Sequence, residues 1–156
     1  MSTEKELLTA GAANVTITID IEASVERTWQ LMIEDVGKWW RSDFLICGDD
    51  SLGMQLDPRP GGQLVEKTGD GGYVWGNVLS FLPNKQLSYV AQIVPPWGGP
   101  AQSVVQIELS ANGDATTLKL TDSLIGHITA ELASSLDQGW RQLYGEGGLK
   151  SYVESQ

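Results

Sequence analysis

Any acid–base or metal chemistry in this chain would have to come from very few groups, because its 156 residues hold one histidine, His127, and one cysteine, Cys47. His127 stands in Gly126-His127-Ile128, between a strand-like and a helix-like segment, and reads as a loop residue that meets nearby carbonyls rather than as a general base. A lone histidine leaves no two-histidine, one-carboxylate iron site. One Cys and one His leave no ordinary zinc ligand set. Cys47 has no neighbour that would activate a thiol and reads as inert. Asp49, Asp50 and Asp57 lack calcium-loop spacing and read as solvated loop charge. Asp122 and Ser123 lie near His127 in sequence, but nothing around them resembles a nucleophile elbow, so no catalytic residue is assigned. Gly69-Asp70-Gly71-Gly72 joins two strands rather than a strand and a helix, so it is a hairpin turn and not a phosphate loop. No metal and no cofactor are expected.

The chemistry that remains is recognition by aromatic surface. Six tryptophans are present, each a large rigid apolar surface with one N–H that needs a partner. Trp29, Trp75 and Trp140 fall on apolar faces and suit either an ordinary core or the wall of a cavity. Trp40 and Trp97 fall near loops and suit the mouth of one. Arg41, just after Trp39-Trp40, either holds the anionic end of a ligand or pairs with Asp43 at the surface. Asn77, Tyr89, Gln92 and His127 are the polar residues placed to point inward. The candidate ligand-binding set is Trp40, Arg41, Trp75, Tyr89, Trp97 and Trp140.

These residues need a scaffold, and the chain supplies a readable one. Residues 1–13 show no periodicity and read as a flexible lead-in. Val15, Ile17, Ile19 and Ile21 then alternate with polar residues as a half-buried strand does. Ser24 is placed to cap a helix whose apolar stripe is Val25, Trp29, Met32, Ile33 and Val36, with Gly37 as its interruption and a second short helix carrying Trp39-Trp40. From about residue 53 to 123, short alternating runs are punctuated by Pro- and Gly-rich turns. Tyr73, Trp75, Asn77, Leu79 and Phe81 read as one face of a strand, and Leu87, Tyr89, Ala91 and Ile93 as one face of the next. Val105, Ile107, Leu109, Leu118 and Leu120 continue the pattern across the hairpin signal Asn112-Gly113. Strands joined by short turns form an antiparallel meander. The last segment, about 129–153, is helical, with Thr129 as N-cap and Ile128, Leu132, Leu136, Trp140, Leu143 and Gly147 on one stripe. Its glycines, Gly139, Gly145, Gly147 and Gly148, each cost about 0.8–1 kcal/mol in a helix interior. They point to close packing, room for a ligand, or a kink.

The order is one strand, two short helices, about six strands and a long helix. It predicts an α+β domain over 14–154, a curved antiparallel sheet of six or seven strands around the C-terminal helix. A helix lying in such a concavity need not pack flush, and the gap is a natural pocket. Acidic residues outnumber basic ones 20 to 10. A formal charge of −10 argues against nucleic acid and anionic membrane surfaces as partners. No run is apolar enough for a membrane span, the first residues do not read as a signal peptide, and a single free thiol fits a reducing compartment, so the cytoplasm is the expected location.

Several of these elements carry a family resemblance. Ala23-Ser24-Val25-Glu26 leading to Trp29, the Trp39-Trp40 pair, Pro60-Gly61-Gly62 and Trp75-Gly76-Asn77-Val78 followed by Pro83 and Leu87 stand in a familiar order. Gly139-Trp140, Leu143, Leu149, Tyr152, Val153 and Glu154 complete it. Over about 14–154 the chain resembles the START-like (SRPBCC) superfamily of helix-grip domains and, within it, the family of the activator of heat-shock protein 90 ATPase. It departs from that pattern at Arg41-Ser42, where relatives often carry Gly-Pro, and in the rigid stretch Pro95-Pro96-Trp97-Gly98-Gly99-Pro100. Both departures fall where a pocket mouth would be.

The resemblance implies the helix-grip fold but not one function, because such domains include ligand binders, aromatases and cyclases, and chaperone-associated modules. The reading adopted is non-enzymatic binding of a small apolar or aromatic molecule between the sheet and the C-terminal helix. A polyketide cyclase- or aromatase-like enzyme is the first alternative; it would need an acid–base group with a shifted pKa inside the pocket, and would gain from Tyr89 and His127 facing one another across the cavity. A chaperone-associated interaction domain is the other, although the chain reads as a lone domain without the additional N-terminal domain of the co-chaperone for which the family is named. An exposed sheet edge or the 95–100 loop would serve for a homodimer.

Overall fold

Alternating apolar and polar residues in seven segments can bury one face each only by pairing side by side, and the chain does this in a single antiparallel sheet. The computed structural model describes residues 3–156. In chain order the elements are β1 (Gly11–Ile21), α1 (Val25–Glu34), α2 (Val36–Trp39), β2 (Met54–Leu56), β3 (Gln63–Lys67), β4 (Gly72–Leu82), β5 (Gln86–Ile93), β6 (Ala101–Asn112), β7 (Ala115–Gly126), α3 (Ala130–Tyr144) and α4 (Leu149–Glu154). The strand order is β1-β7-β6-β5-β4-β3-β2. The strands after the helix pair form a continuous meander, and β1 closes the row beside the last of them. This is the helix-grip arrangement expected from the sequence.

The expected caps form. Ser24 accepts a hydrogen bond from the backbone N–H of Arg27 at 3.1 Å, and Thr129 accepts one from Leu132 at 3.0 Å. Each satisfies a donor that the first helical turn leaves free. The inward residues of β1, β6 and β7, among them Ile17, Ile21, Val105, Ile107, Leu118 and Leu120, are fully buried with Met32 of α1 and Leu149 of α4.

Four local readings differ from the sequence pattern. Met1 and Ser2 of the 1–13 lead-in lie outside the described residues, but the lead-in ends earlier than expected, because β1 already pairs with β7 from Gly11 opposite Gly126. Gly11-Ala12-Ala13 carry no alternation to read, yet their backbones continue the ladder. The first helix breaks at Asp35 rather than at Gly37. Gly37 lies inside α2, where a Cβ would stand 2.9 Å from the carbonyl oxygen of Met54, so this glycine serves the close approach of β2. The C-terminal helix comes in two pieces separated by Gly145, Glu146, Gly147 and Gly148, with Gly147 at a φ of 84°. That is the break its glycines foreshadowed.

The fourth difference bears on the site. Tyr73, Trp75, Asn77, Leu79 and Phe81 do not share one face, because β4 carries two bulges. Leu64 of β3 pairs with Gly76 and Val65 with Val74, leaving Trp75 as the extra residue. Further on, Val78 pairs with Tyr89 and Ser80 with Ser88, leaving Leu79 as the second extra residue. Each bulge flips the alternation. Tyr73 and Trp75 are half-buried, Gly76 and Val78 take over the buried positions, Asn77 and Leu79 are exposed, and Phe81 returns inward.

Candidate functional site

The first bulge aims Trp75 at the space between the sheet and α3, and the apolar stripe of α3 forms the facing wall. Between them lies a cavity of about 240 Å³. The sheet side gives Tyr73, Trp75, Ala91 and Ile93, α3 gives Leu132, Leu136, Gly139, Trp140 and Leu143, and the loops give Trp40, Phe44 and Trp97. Gln92, Ser103, Asp122 and Ser135 are the polar residues of the lining. The Cβ direction of Gly139 faces Phe44 at 3.5 Å, so the helix leaves room there rather than a strained contact.

The aromatic rings form a connected set. Trp75 and Trp97 stack with centroids 6.1 Å apart, Tyr73 lies edge-on to both, and Trp40 meets Trp75 edge-on at 5.4 Å. These are the offset and tilted arrangements favoured by the quadrupole of aromatic rings. Most of the indole N–H groups are anchored. Trp40 donates to the carbonyl oxygen of Phe44 at 3.3 Å, Trp75 to Oε1 of Glu66 at 3.2 Å, and Trp140 to Oδ2 of Asp122 at 2.9 Å. Trp97, on the loop between β5 and β6, is 41% exposed and is the aromatic residue of the lining most open to solvent.

Two buried acidic residues, neither of them in the candidate ligand-binding set, support these rings. Glu66 is fully buried. Its carboxylate accepts the backbone N–H of Ile46 at 2.9 Å and of Cys47 at 2.8 Å as well as the Trp75 indole. Burial pushes its pKa up, but these donors together outweigh burial and hold it below the usual carboxylate range. Asp122 is also fully buried. It accepts from Trp140 and from the hydroxyl of Ser103, and here burial wins, so its pKa is raised. The sequence carried a signal for both. Leu64 and Glu66 share the buried phase of β3, and Leu118, Leu120, Asp122 and Leu124 that of β7. A carboxylate in the inward phase of a strand must find donors or a ligand.

Of the six residues singled out from sequence, Trp40, Trp75, Trp97 and Trp140 come together around the cavity, whereas Arg41 and Tyr89 are not among its lining. Arg41 donates from Nε and Nη2 to the two carboxylate oxygens of Asp43 at 2.9 and 2.8 Å and lies over the Phe44 ring. The ion pair raises the guanidinium pKa and lowers that of Asp43. This is the surface pairing, not an anion clamp. Tyr89 is 2% exposed and sits behind the lining, its ring filling the place a Gly76 side chain would take. Its hydroxyl is buried without a regular hydrogen bond, and burial together with the neighbouring Tyr144 phenol pushes its pKa well up.

The remaining polar candidates are placed elsewhere. Asn77 accepts from Gln63 on the outside of the sheet at 3.1 Å, and Gln92 borders the pocket while mostly exposed. His127 Nδ1 lies 3.1 Å from the carbonyl oxygen of Thr9, pinning the segment before β1 and not lining the cavity. Burial raises the Cys47 thiol pKa, with Glu66 adding to it. Among the described residues no group of three His, Cys, Asp or Glu side chains could hold a metal ion, and no helix is long and apolar enough to cross a membrane.

A curved seven-stranded antiparallel sheet with a C-terminal helix over its concave face and a cavity between them defines a helix-grip domain. The chain belongs to the family described as activator of Hsp90 ATPase homolog 1-like protein, whose model matches residues 22–154. Solved structures with the same fold include an uncharacterized protein of Rhizobium leguminosarum, 18% identical with a TM-score of 0.72 over 97% of this chain and 100% of that one. Another is DynU16, from the dynemicin biosynthetic locus, at 22% identity and TM-score 0.65 over 91% of this chain and 47% of that one. A third is the Aha1 dimer of Colwellia psychrerythraea, at 21% identity and TM-score 0.59 over 82% and 87%. No functionally curated protein matches the chain. At these identities the likeness shows the fold alone.

Proposed function

We propose that this protein binds a small, largely apolar, ring-bearing molecule in the cavity between α3 and the sheet. The observation that carries the reading is the lining itself, in which Trp40, Phe44, Tyr73, Trp75, Trp97 and Trp140 surround a space with few polar groups. At about 240 Å³ the cavity lies just below the roughly 300–1,000 Å³ of drug-sized sites, which suits a one- or two-ring molecule. The anchored indoles support it further, since walls held by hydrogen bonds need not be ordered when a ligand enters.

We assign no reaction to the site. The enzyme alternative would have gained from Tyr89 and His127 meeting across the cavity, and neither lines it. DynU16 comes from a biosynthetic locus, which carries no role for this chain. Homodimerisation remains a proposal of its own, prompted by the dimeric Aha1 relative.

The test is titration of intrinsic tryptophan fluorescence with fatty acids, flavonoids, aromatic polyketides and an apolar dye, repeated on Trp40→Phe and Trp75→Phe. Saturable quenching at micromolar concentration, weakened in both variants, is the expected result. No response from folded protein to any member of the panel would overturn the binding reading and leave the chaperone-associated interaction role.

A further inference from the structure

Among the residues that line the cavity, Asp122 is the only one with a carboxyl group. Both of its hydrogen-bond donors are neutral, the Ser103 hydroxyl on Oδ1 and the Trp140 indole on Oδ2. Among the described residues it takes part in no ion pair, since the five present all involve other acids. A carboxylate offers about four acceptor positions, and these two donors fill two of them. An ionised carboxylate buried without a cation is costly unless something compensates it. The rings beside it add to the picture, because tryptophan and tyrosine faces attract cations.

We propose that the ligand of this cavity is an aromatic or alkyl amine in its ammonium form, its rings among the tryptophans and its charged nitrogen on Asp122. The proposal rests on the binding reading above and narrows it to one chemical class. An ammonium group supplies both the donors and the positive charge that Asp122 lacks. The formal charge of −10 for the whole chain raises the local concentration of cations and disfavours anionic ligands such as fatty acids. A neutral ligand would bring no positive charge to Asp122, and an anion would stand against a like charge.

The groups facing Asp122 keep this electrostatic picture simple. β6 contributes Ser103, α3 contributes Trp140, and Val15 of β1 pairs with it in register. The titratable neighbours are the Tyr89 and Tyr144 phenols, from β5 and α3, and burial keeps both neutral. Burial raises the Asp122 pKa, so at low pH the acid is neutral and attracts a cation weakly. Cation affinity therefore rises with pH through that pKa, and a bound cation lowers the pKa in turn.

The experiment is calorimetric titration with three probes that share one ring system, tryptamine (cation), tryptophol (neutral) and indole-3-acetate (anion), on the wild type and on Asp122→Asn. Tryptamine is expected to bind at least ~10-fold more tightly than tryptophol, the low end of couplings between close charge pairs, with indole-3-acetate weakest. Asp122→Asn should erase that order while still binding tryptophol, with its fold checked by near-ultraviolet circular dichroism. Should the variant not fold, the wild type decides. Tryptamine affinity must then fall as pH is lowered through the Asp122 titration while tryptophol affinity stays flat. Comparable binding of all three probes, or tighter binding of the anion, overturns the cation inference and leaves the pocket reading standing. No binding of any probe overturns both.

Discussion

Replacing Glu66 by glutamine changes one buried carboxylate to its neutral isostere and should destabilise the protein out of proportion to the atoms altered. The carboxylate takes the N–H groups of Ile46 and Trp75 on one oxygen and that of Cys47 on the other. Glutamine keeps one acceptor oxygen. If that oxygen stays with Ile46 and Trp75, the amide NH2 faces the Cys47 N–H, and two donors meet where a bond existed. A buried donor left unsatisfied costs about 1–3 kcal/mol, and hydrogen bonds to a charged group are worth about 1.5–3 against roughly 1 for neutral ones. Relief of carboxylate desolvation offsets part of this, which leaves a loss of about 2–4 kcal/mol. For a domain of this length that lowers Tm by roughly 4–16 °C.

The pH dependence supplies an independent check on the same reasoning. The native pKa of Glu66 is held below its usual range, so the unfolded chain binds a proton at higher pH than the folded one. The stabilisation is therefore complete above the unfolded value of roughly 4.3 and is lost as pH falls through the lower native value. Urea unfolding followed by tryptophan fluorescence between pH 7 and pH 3 should show the gap between wild type and Glu66→Gln at full size at neutral pH, and shrinking below about pH 4. A variant as stable as the wild type at pH 7, or a gap that persists unchanged at pH 3, would refute the view that the ionised carboxylate holds the Trp75 wall and the 46–47 loop.

Two further substitutions probe the scaffold. Gly76→Ala places a methyl group against the buried Tyr89 ring and should cost about 1–3 kcal/mol in denaturant unfolding, with a smaller cost in a Tyr89→Leu background, where the double-mutant cycle reads the clash directly. An unchanged cost in that background would mean that the glycine serves the bulge backbone instead. Thr129→Ala removes the cap on Leu132 and should lower stability by about 1 kcal/mol; Thr129→Ser, which can make the same bond, should restore most of it, measured by thermal unfolding.

The legible part of this protein was its periodicity. Alternation in β1, β5, β6 and β7, the apolar residues of the stripes that fall within α1 and α3, and the caps at Ser24 and Thr129 follow the sequence pattern because each is a local rule. What the sequence concealed was backbone that breaks the rule. Two bulges in β4 cannot be seen in Tyr73-Val74-Trp75-Gly76-Asn77-Val78-Leu79, since strict alternation fits those letters equally well, and the bulges decide that Trp75 faces the cavity while Asn77 does not. Tyr89 was misplaced for a related reason. Its strand phase is inward as read, but Gly76 across the ladder opens a slot that takes the ring out of the lining. Arg41 pairs with Asp43, two residues on, which is one of the two readings its sequence position leaves open.

The two buried acids show why position alone does not separate support from recognition. Both stand in the inward phase of a strand, both receive a tryptophan N–H, and both are sealed from bulk water. Glu66 adds two backbone N–H groups that lie at fixed distance in a folded loop, and the total of its donors exceeds the penalty of burial, so its pKa falls. Asp122 adds only a hydroxyl, burial prevails, and its pKa rises. An acid whose pKa is depressed by the fold is already satisfied and acts as a strut. An acid whose pKa is raised is more readily neutralised by a proton, and where it borders a cavity lined with tryptophan a cation that enters would favour its ionised form.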